Sequence, residues 1–183
     1  MPAVLVPIAQ GCEELETVTI IDILRRGDVE VTVAGLDAEP VTASRGVRLM
    51  PDATLDEALR REYDMVALPG GGKGAENLAN DARITNLLKE MADKGKYTVA
   101  ICAGPTVLAK AGLLAGKKAT SYPAMLDQLK AANAQCVEDP VVQDGRIITS
   151  RGPGTAMDFA LTLVGVLQGK ETRDKVEKAL VRP

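Results

Sequence analysis

The 183-residue sequence contains no histidine. That excludes a Cys-His dyad, a Ser-His-Asp triad and any histidine-ligated metal. Acid–base chemistry must fall to a carboxylate, a tyrosine, a lysine or water. Tryptophan is absent too, and only one Phe and three Tyr occur. The core must be built from Val, Ile, Leu, Ala and Met, which favours layered α/β packing over an aromatic-rich β-sandwich. The three cysteines, Cys12, Cys102 and Cys136, form neither an even framework nor a CxxC pair. Free thiols in a reducing compartment are expected, and no metal site. No segment reaches the roughly 18–20 apolar residues that span a bilayer. A strand-like run, Ala3–Ala9, begins at once with no basic stretch before it, so no signal peptide and a cytoplasmic location are expected. The net charge of −3 gives no electrostatic case for a nucleic-acid partner. Neither a Gly-Lys-Ser/Thr phosphate loop nor GxGxxG is present, which argues against a dinucleotide cofactor.

What is present is a globular composition, 46% apolar, in which strand-like and helix-like segments alternate. Ala3–Ala9, Val29–Leu36, Asp64–Gly72, Tyr97–Ile101 and Arg146–Ser150 read as strands. Glu13–Arg26, Asp81–Gly95, Pro105–Ala111, Gly154–Gln168 and Glu171–Leu180 read as helices, most of them stopped by glycine. In the first helix, Leu15, Val18, Ile21 and Leu24 recur every three residues and predict the apolar face. Residues 40–55 and 118–145 are less regular and predict short strands and turns at Pro40, Pro51 and Asp144-Gly145. No linker or repeat interrupts residues 1–183, which predicts a single α/β domain with a mostly parallel sheet and helices on both faces.

The sharpest local signal is Tyr97-Thr-Val-Ala-Ile-Cys-Ala-Gly-Pro105. An apolar run ends in Cys102, then turns through Ala103, Gly104 and Pro105, with small residues two positions to either side (Ala100, Gly104). A nucleophile on a tight strand-to-helix turn needs such neighbours, because the backbone comes too close for larger side chains. A helix N-terminus at that point favours the thiolate. Three further turns share this character: Gln10–Glu16, Pro69–Gly74 and Ser150–Thr155. In a parallel sheet they meet on one edge, where ligands bind. The N–H groups of the Gly70–Gly74 turn and of Ala103 are candidates for an oxyanion hole. Glu13 and Glu14 read as partners of the helix dipole. Glu16, a turn further in, is positioned to share a proton with Cys102, and partial burial would keep it protonated. Cys12, on a strand-end loop, is a candidate second redox thiol, either resolving or a reactive bystander. Cys136 reads as incidental.

Five segments in order, Gly11–Thr17, Ala43–Gly46, Leu68–Gly71, Ala100–Pro105 and Thr149–Thr155, carry a resemblance to the ThiJ/PfpI superfamily. Within it the chain resembles the branch of the parkinsonism-associated deglycase and its bacterial YajL-type relatives. The resemblance implies a flavodoxin-like three-layer sandwich that forms a homodimer and needs no cofactor. It makes Cys102 the nucleophile, readily oxidised to a sulfinate, Glu16 its protonated partner, and Gly71 and Ala103 the oxyanion donors. Gly70, Arg45, Tyr122 and Pro153 would line the entrance near the dimer interface, with Arg26 of the first helix as a further candidate. Many relatives carry a histidine where this chain has Tyr122, and a neutral phenol is a poor base near pH 7. That departure argues against a protease or amidotransferase. The implied activity is a glyoxalase acting on methylglyoxal or glyoxal and a protein/nucleotide deglycase acting on early glycation adducts, with a role in oxidative stress. The alternative is a redox sensor or redox-regulated chaperone with client proteins.

Overall fold

The computed structural model describes residues 1–183. In chain order the elements are β1 (Ala3–Ile8), α1 (Glu14–Arg26), β2 (Glu30–Gly35), β3 (Val41–Thr42), β4 (Arg48–Leu49), β5 (Ala53–Thr54), α2 (Leu55–Ala58), β6 (Met65–Leu68), α3 (Gly72–Ala79) and α4 (Ala82–Asp93). They continue as β7 (Tyr97–Ile101), α5 (Pro105–Lys110), β8 (Lys118–Ala119), α6 (Leu126–Ala131), β9 (Gln135–Cys136), β10 (Val141–Asp144), β11 (Ile147–Ser150), α7 (Ala156–Gln168) and α8 (Lys170–Ala179).

Seven strands form one sheet in the order β10-β11-β7-β6-β1-β2-β5. Every pairing is parallel except β10 with β11, a hairpin turned at Gly145. The β3–β4 ribbon is antiparallel, and the short strands β8 and β9 pair in parallel outside the main sheet. Side chains alternate across the sheet. Val4, Val6 and Ile8 of β1 face a core built with α1, α7 and α8, around fully buried Phe159. Leu5 and Ala9 face a second core built with α3, α4 and α5. A sheet buried on both faces explains why β6 reads as an unbroken apolar run and β7 as one interrupted only at Thr98.

The first helix corrects its expected face. Leu15 and Val18 are half exposed, whereas Glu16, Thr17, Ile20, Ile23 and Leu24 are buried. The stripe with three-residue spacing points outward at Leu15 and Val18, whereas its later members turn inward, Ile21 packing against the core and Leu24 lying within it. Three helices lay hidden in the sequence. α3 reads Gly-Lys-Gly-Ala, whose glycines mask the helical pattern, and α2 and α6 are only 4 and 6 residues long.

Strand order reverses between β1 and β6: the chain goes outward from β1 to β2 and β5, then returns to β6 on the other side. The carboxyl ends of these two strands therefore diverge and leave a crevice, the usual ligand position in such sheets.

Candidate active site

Cys102 sits at the carboxyl end of β7, beside that crevice. Its backbone lies in the left-handed region, at φ 64°. A side chain there costs about 1–2 kcal/mol, so the surroundings must hold the turn. Cys102 N donates to Ser150 O at 3.0 Å, Gly104 N to Ile101 O at 2.8 Å, and Tyr122 N to Cys102 O at 2.9 Å. Gly104 is required, because a Cβ there would lie 2.8 Å from Leu68 O and 2.9 Å from Ile101 O. Pro105 starts α5 with its φ preset for the helix. The sulfur faces two backbone donors, the N–H groups of Gly71 and Ala103. Gly71 precedes α3 at φ 87°, which suits glycine alone.

Glu16 comes from the first turn of α1 and is fully buried. Glu13 caps the helix by accepting from Glu16 N at 2.7 Å, as its dipole reading anticipates. The Glu16 carboxyl takes the Gly70 N–H at 2.8 Å on Oε2, while Oε1 has no nitrogen or oxygen partner. The Cys102 thiol is its remaining hydrogen-bonding neighbour. Gly70 separates the pair: a Cβ there would stand 2.5 Å from Glu16 Oε2 and 2.6 Å from Cys102 Cβ. Gly70 thus positions the carboxyl by donating to it, and leaves the sulfur to Gly71 and Ala103.

Burial pushes Glu16 up to about 7, against the pull of its bonds to Cys102 and Gly70. Burial, and then the facing carboxylate, push the Cys102 thiol up to about 12, while the Gly71 and Ala103 N–H groups pull it down. The backbone donors that favour a thiolate are thus opposed by burial and by the facing carboxylate. Thiol and carboxyl form a coupled pair around one proton. The repulsion that opposes the thiolate exists only while Glu16 is charged. Moving the proton from sulfur to carboxyl removes it and turns an acceptor into a donor.

The remaining expected site residues divide into two groups. Tyr122 is tied to the elbow through its backbone, and its half-exposed ring packs beside Gly152, next to exposed Pro153. These residues lie together beside the elbow. Arg45 is exposed and lies just before the β4 arm of the β3–β4 ribbon. Arg26 is in the last turn of α1, paired with Asp22 at 2.7 Å. It lies roughly 15 Å along the helix from Glu16, at about 1.5 Å per residue, so a single chain does not bring it to Cys102. Cys12 is fully buried, its thiol facing Thr17, and burial pushes it up. With no accessible surface it lacks the exposure a resolving thiol needs. Cys136 is half-buried near Leu126 O.

Glu14 is the residue that sequence reasoning missed. Rather than merely complementing the dipole, it reaches the ribbon, accepting from Arg45 N at 2.7 Å and Ser44 Oγ at 2.9 Å. These bonds hold its carboxyl below the usual range despite the opposing desolvation. The contact spans about 30 residues, so no local pattern announces it.

A cysteine raised on a strained turn at the carboxyl edge of a parallel sheet defines an α/β protein with a cysteine elbow. The family is narrower than that class. The DJ-1/PfpI family model matches residues 2–165, and the chain belongs to this family. It is 48% identical over 179 residues to Protein DJ-1alpha of Drosophila melanogaster, covering 97% of this chain and 82% of that protein. It is 37% identical over 171 residues to glutathione-independent glyoxalase DJR-1.2 of Caenorhabditis elegans, covering 93% and 91%. The crystal structure of Drosophila melanogaster DJ-1beta superposes with a TM-score of 0.96 at 44% identity, over 100% of this chain and 98% of that one. The fold is flavodoxin-like, and no helix is long and apolar enough to cross a membrane.

Proposed function

We propose that the protein is a cysteine-dependent, cofactor-independent glyoxalase that also acts as a deglycase on early glycation adducts of proteins and nucleotides. The observation that carries this reading is the packing of the Glu16 carboxyl against the Cys102 thiol across Gly70, with two N–H donors on the sulfur. The name of the C. elegans relative supports the same chemistry.

In this reading the proton moves from sulfur to Glu16 as a 2-oxoaldehyde enters. The thiolate attacks the aldehyde carbon, forming a C–S bond, and the new alkoxide takes a proton. The N–H groups of Gly71 and Ala103 stabilise the developing charge. Glu16, now ionised, removes the hydrogen from the former aldehyde carbon, giving an enediol, and returns a proton to the neighbouring carbon. The first carbon is oxidised and the second reduced, so no external oxidant is needed. Water hydrolyses the resulting thioester to a hydroxy acid and frees Cys102. With an adduct of an amine or thiol as substrate, the carrier group leaves as well. Tyr122 serves in this reading as a hydrogen-bond donor rather than as a base.

Intact-mass measurement of wild type, Glu16→Gln and Cys102→Ser after brief exposure to methylglyoxal tests this scheme. A covalent adduct should accumulate on Cys102 in Glu16→Gln and be absent in Cys102→Ser. Adduct on lysines or arginines alone, with Cys102 free, would overturn it.

The working unit in this reading is a homodimer. Leu15 and Val18 on α1, Val47 and Met50 on and beside the ribbon, and Met157 on α7 are large apolar residues left half or more exposed. Glu14 ties the ribbon to the start of α1, and α1 packs on α7. A second copy is the occupant that the family resemblance implies for this face.

The same site supports a redox role. Oxidation of the sulfur to a sulfinate places oxygen atoms among the Gly71 and Ala103 donors and a protonated Glu16. Glu16→Leu should then shift the oxidation product away from sulfinate, as read by mass spectrometry of peroxide-treated protein. An unchanged product would reject that role.

A further inference from the structure

The edge of the sheet opposite Cys102 carries a second concentration of chemistry. Three tight turns there each place a cation directly after a left-handed glycine: Gly95-Lys96 (φ 67°), Gly116-Lys117 (φ 73°) and Gly145-Arg146 (φ 61°). They come from distant parts of the chain and enter β7, β8 and β11. All three cations line one cavity of about 360 Å³, with Thr98 and Asp144. Lys96 and Arg146 also border a neighbouring cavity of about 460 Å³ that reaches Lys94.

The charges there are unevenly matched. Lys96 Nζ is paired with Asp64 at 2.9 Å. Asp144, the one carboxylate in the lining, already accepts from Lys118 N at 2.8 Å on Oδ2. Arg146 and Lys117 make no ion pair. Arg146 instead lies over the Tyr97 ring, its Cζ 4.5 Å from the centroid. This cation–π contact anchors the guanidinium without using its N–H donors in an ion pair. Asp64 and Asp144 offset two of the three cations, and the excess positive charge at Arg146 and Lys117, which make no ion pair, favours an anion beside them.

We propose that this cavity binds the phosphate group of a small phosphate ester or diphosphate. A planar carboxylate is satisfied by one arginine fork, whereas a phosphate offers acceptors in several directions, matching the Arg146 fork and Lys117, which approach from different turns. The cavity has room for more than the phosphate itself, which fits an ester. Its place at the amino ends of β7 and β11 puts it about 15 Å from the elbow, the length of β7 at roughly 3.3 Å per residue. The site stands independently of the proposed chemistry at Cys102.

Inorganic pyrophosphate is the probe. Titrated calorimetrically into the full chain at low salt, it should bind once per chain and weaken as sodium chloride is raised. Arg146→Ala and Lys117→Ala should each weaken it about tenfold, the usual loss for a hydrogen bond to a charged group. Both should keep the wild-type circular dichroism and wild-type reactivity of Cys102, and Cys102→Ser should bind pyrophosphate like wild type. Absence of binding at millimolar pyrophosphate would overturn the proposal. So would equal binding by the folded double variant, or binding of RNA that pyrophosphate does not displace.

Discussion

Replacing Gly70 with alanine tests the geometry at the centre of the site. Gly70 has an ordinary backbone, so the substitution introduces no conformational strain of its own. The new methyl would stand 2.5 Å from Glu16 Oε2, 2.6 Å from Cys102 Cβ and 3.0 Å from Ile101 O. Each is well inside van der Waals contact. Ile101 O is strand backbone, and Cys102 is held by its turn, so the carboxyl must yield and lose its 2.8 Å bond from Gly70 N. Losing a charge-assisted hydrogen bond costs about 1.5–3 kcal/mol, and overpacking about 1–3 kcal/mol. The expected destabilisation is about 2.5–6 kcal/mol, a drop of roughly 5–24 °C in melting temperature for a chain of this size. Cys102 should at the same time lose its link to Glu16, so its alkylation rate should follow a different pH profile. Thermal melts and iodoacetamide kinetics read the two effects. A melting temperature within a degree of wild type, with an unchanged alkylation profile, would refute the packing argument.

Three further outcomes follow from the same structure. Glu16 ionises at about 7 in the fold against an ordinary 4.5, so the fold prefers its protonated form; that stabilisation is complete below pH 4.5 and lost as pH rises through 7. Chemical denaturation should therefore show Glu16→Gln gaining on wild type by about 3 kcal/mol between pH 4 and pH 8, and a pH-independent difference would contradict the raised value. Glu14→Ala should loosen the ribbon that carries Arg45, seen as faster amide exchange at Ser44 and Arg45 with little change in the alkylation of Cys102; unchanged exchange would remove Glu14 from that role. Leu15→Glu with Val18→Glu should convert the proposed dimer to a monomer in sedimentation, and a monomeric wild type would exclude the interface outright.

Much of the fold was legible because β1 and β6 are continuous apolar runs, β7 is apolar except at Thr98, and glycines or caps mark the helix ends. The elbow was legible for a steric reason: Ala100 and Gly104 are small where the turn leaves no room. What stayed hidden depended on contacts between distant segments. Which stripe of α1 faces inward is decided by α7 and the sheet, not by the spacing of Leu15, Val18 and Ile21. The wedge role of Gly70 appears only when residues 16, 70 and 102 meet. The reach of Glu14 to Ser44 and the full burial of Cys12 also arise only on folding. Charge was the least legible property: the sequence places a helix N-terminus at Cys102, but the carboxylate opposite it and the burial of both groups set the proton's position.

The most direct measurement is hydroxy-acid formation from methylglyoxal by the fully reduced protein, with Cys102→Ser and Glu16→Gln run beside it. The account expects lactate from the wild type, none above background from Cys102→Ser, and a rate lowered by about 100-fold or more in Glu16→Gln, the usual range for loss of a general acid–base group. No lactate from a wild type whose Cys102 is shown to be reduced, or equal lactate from all three proteins, would contradict it.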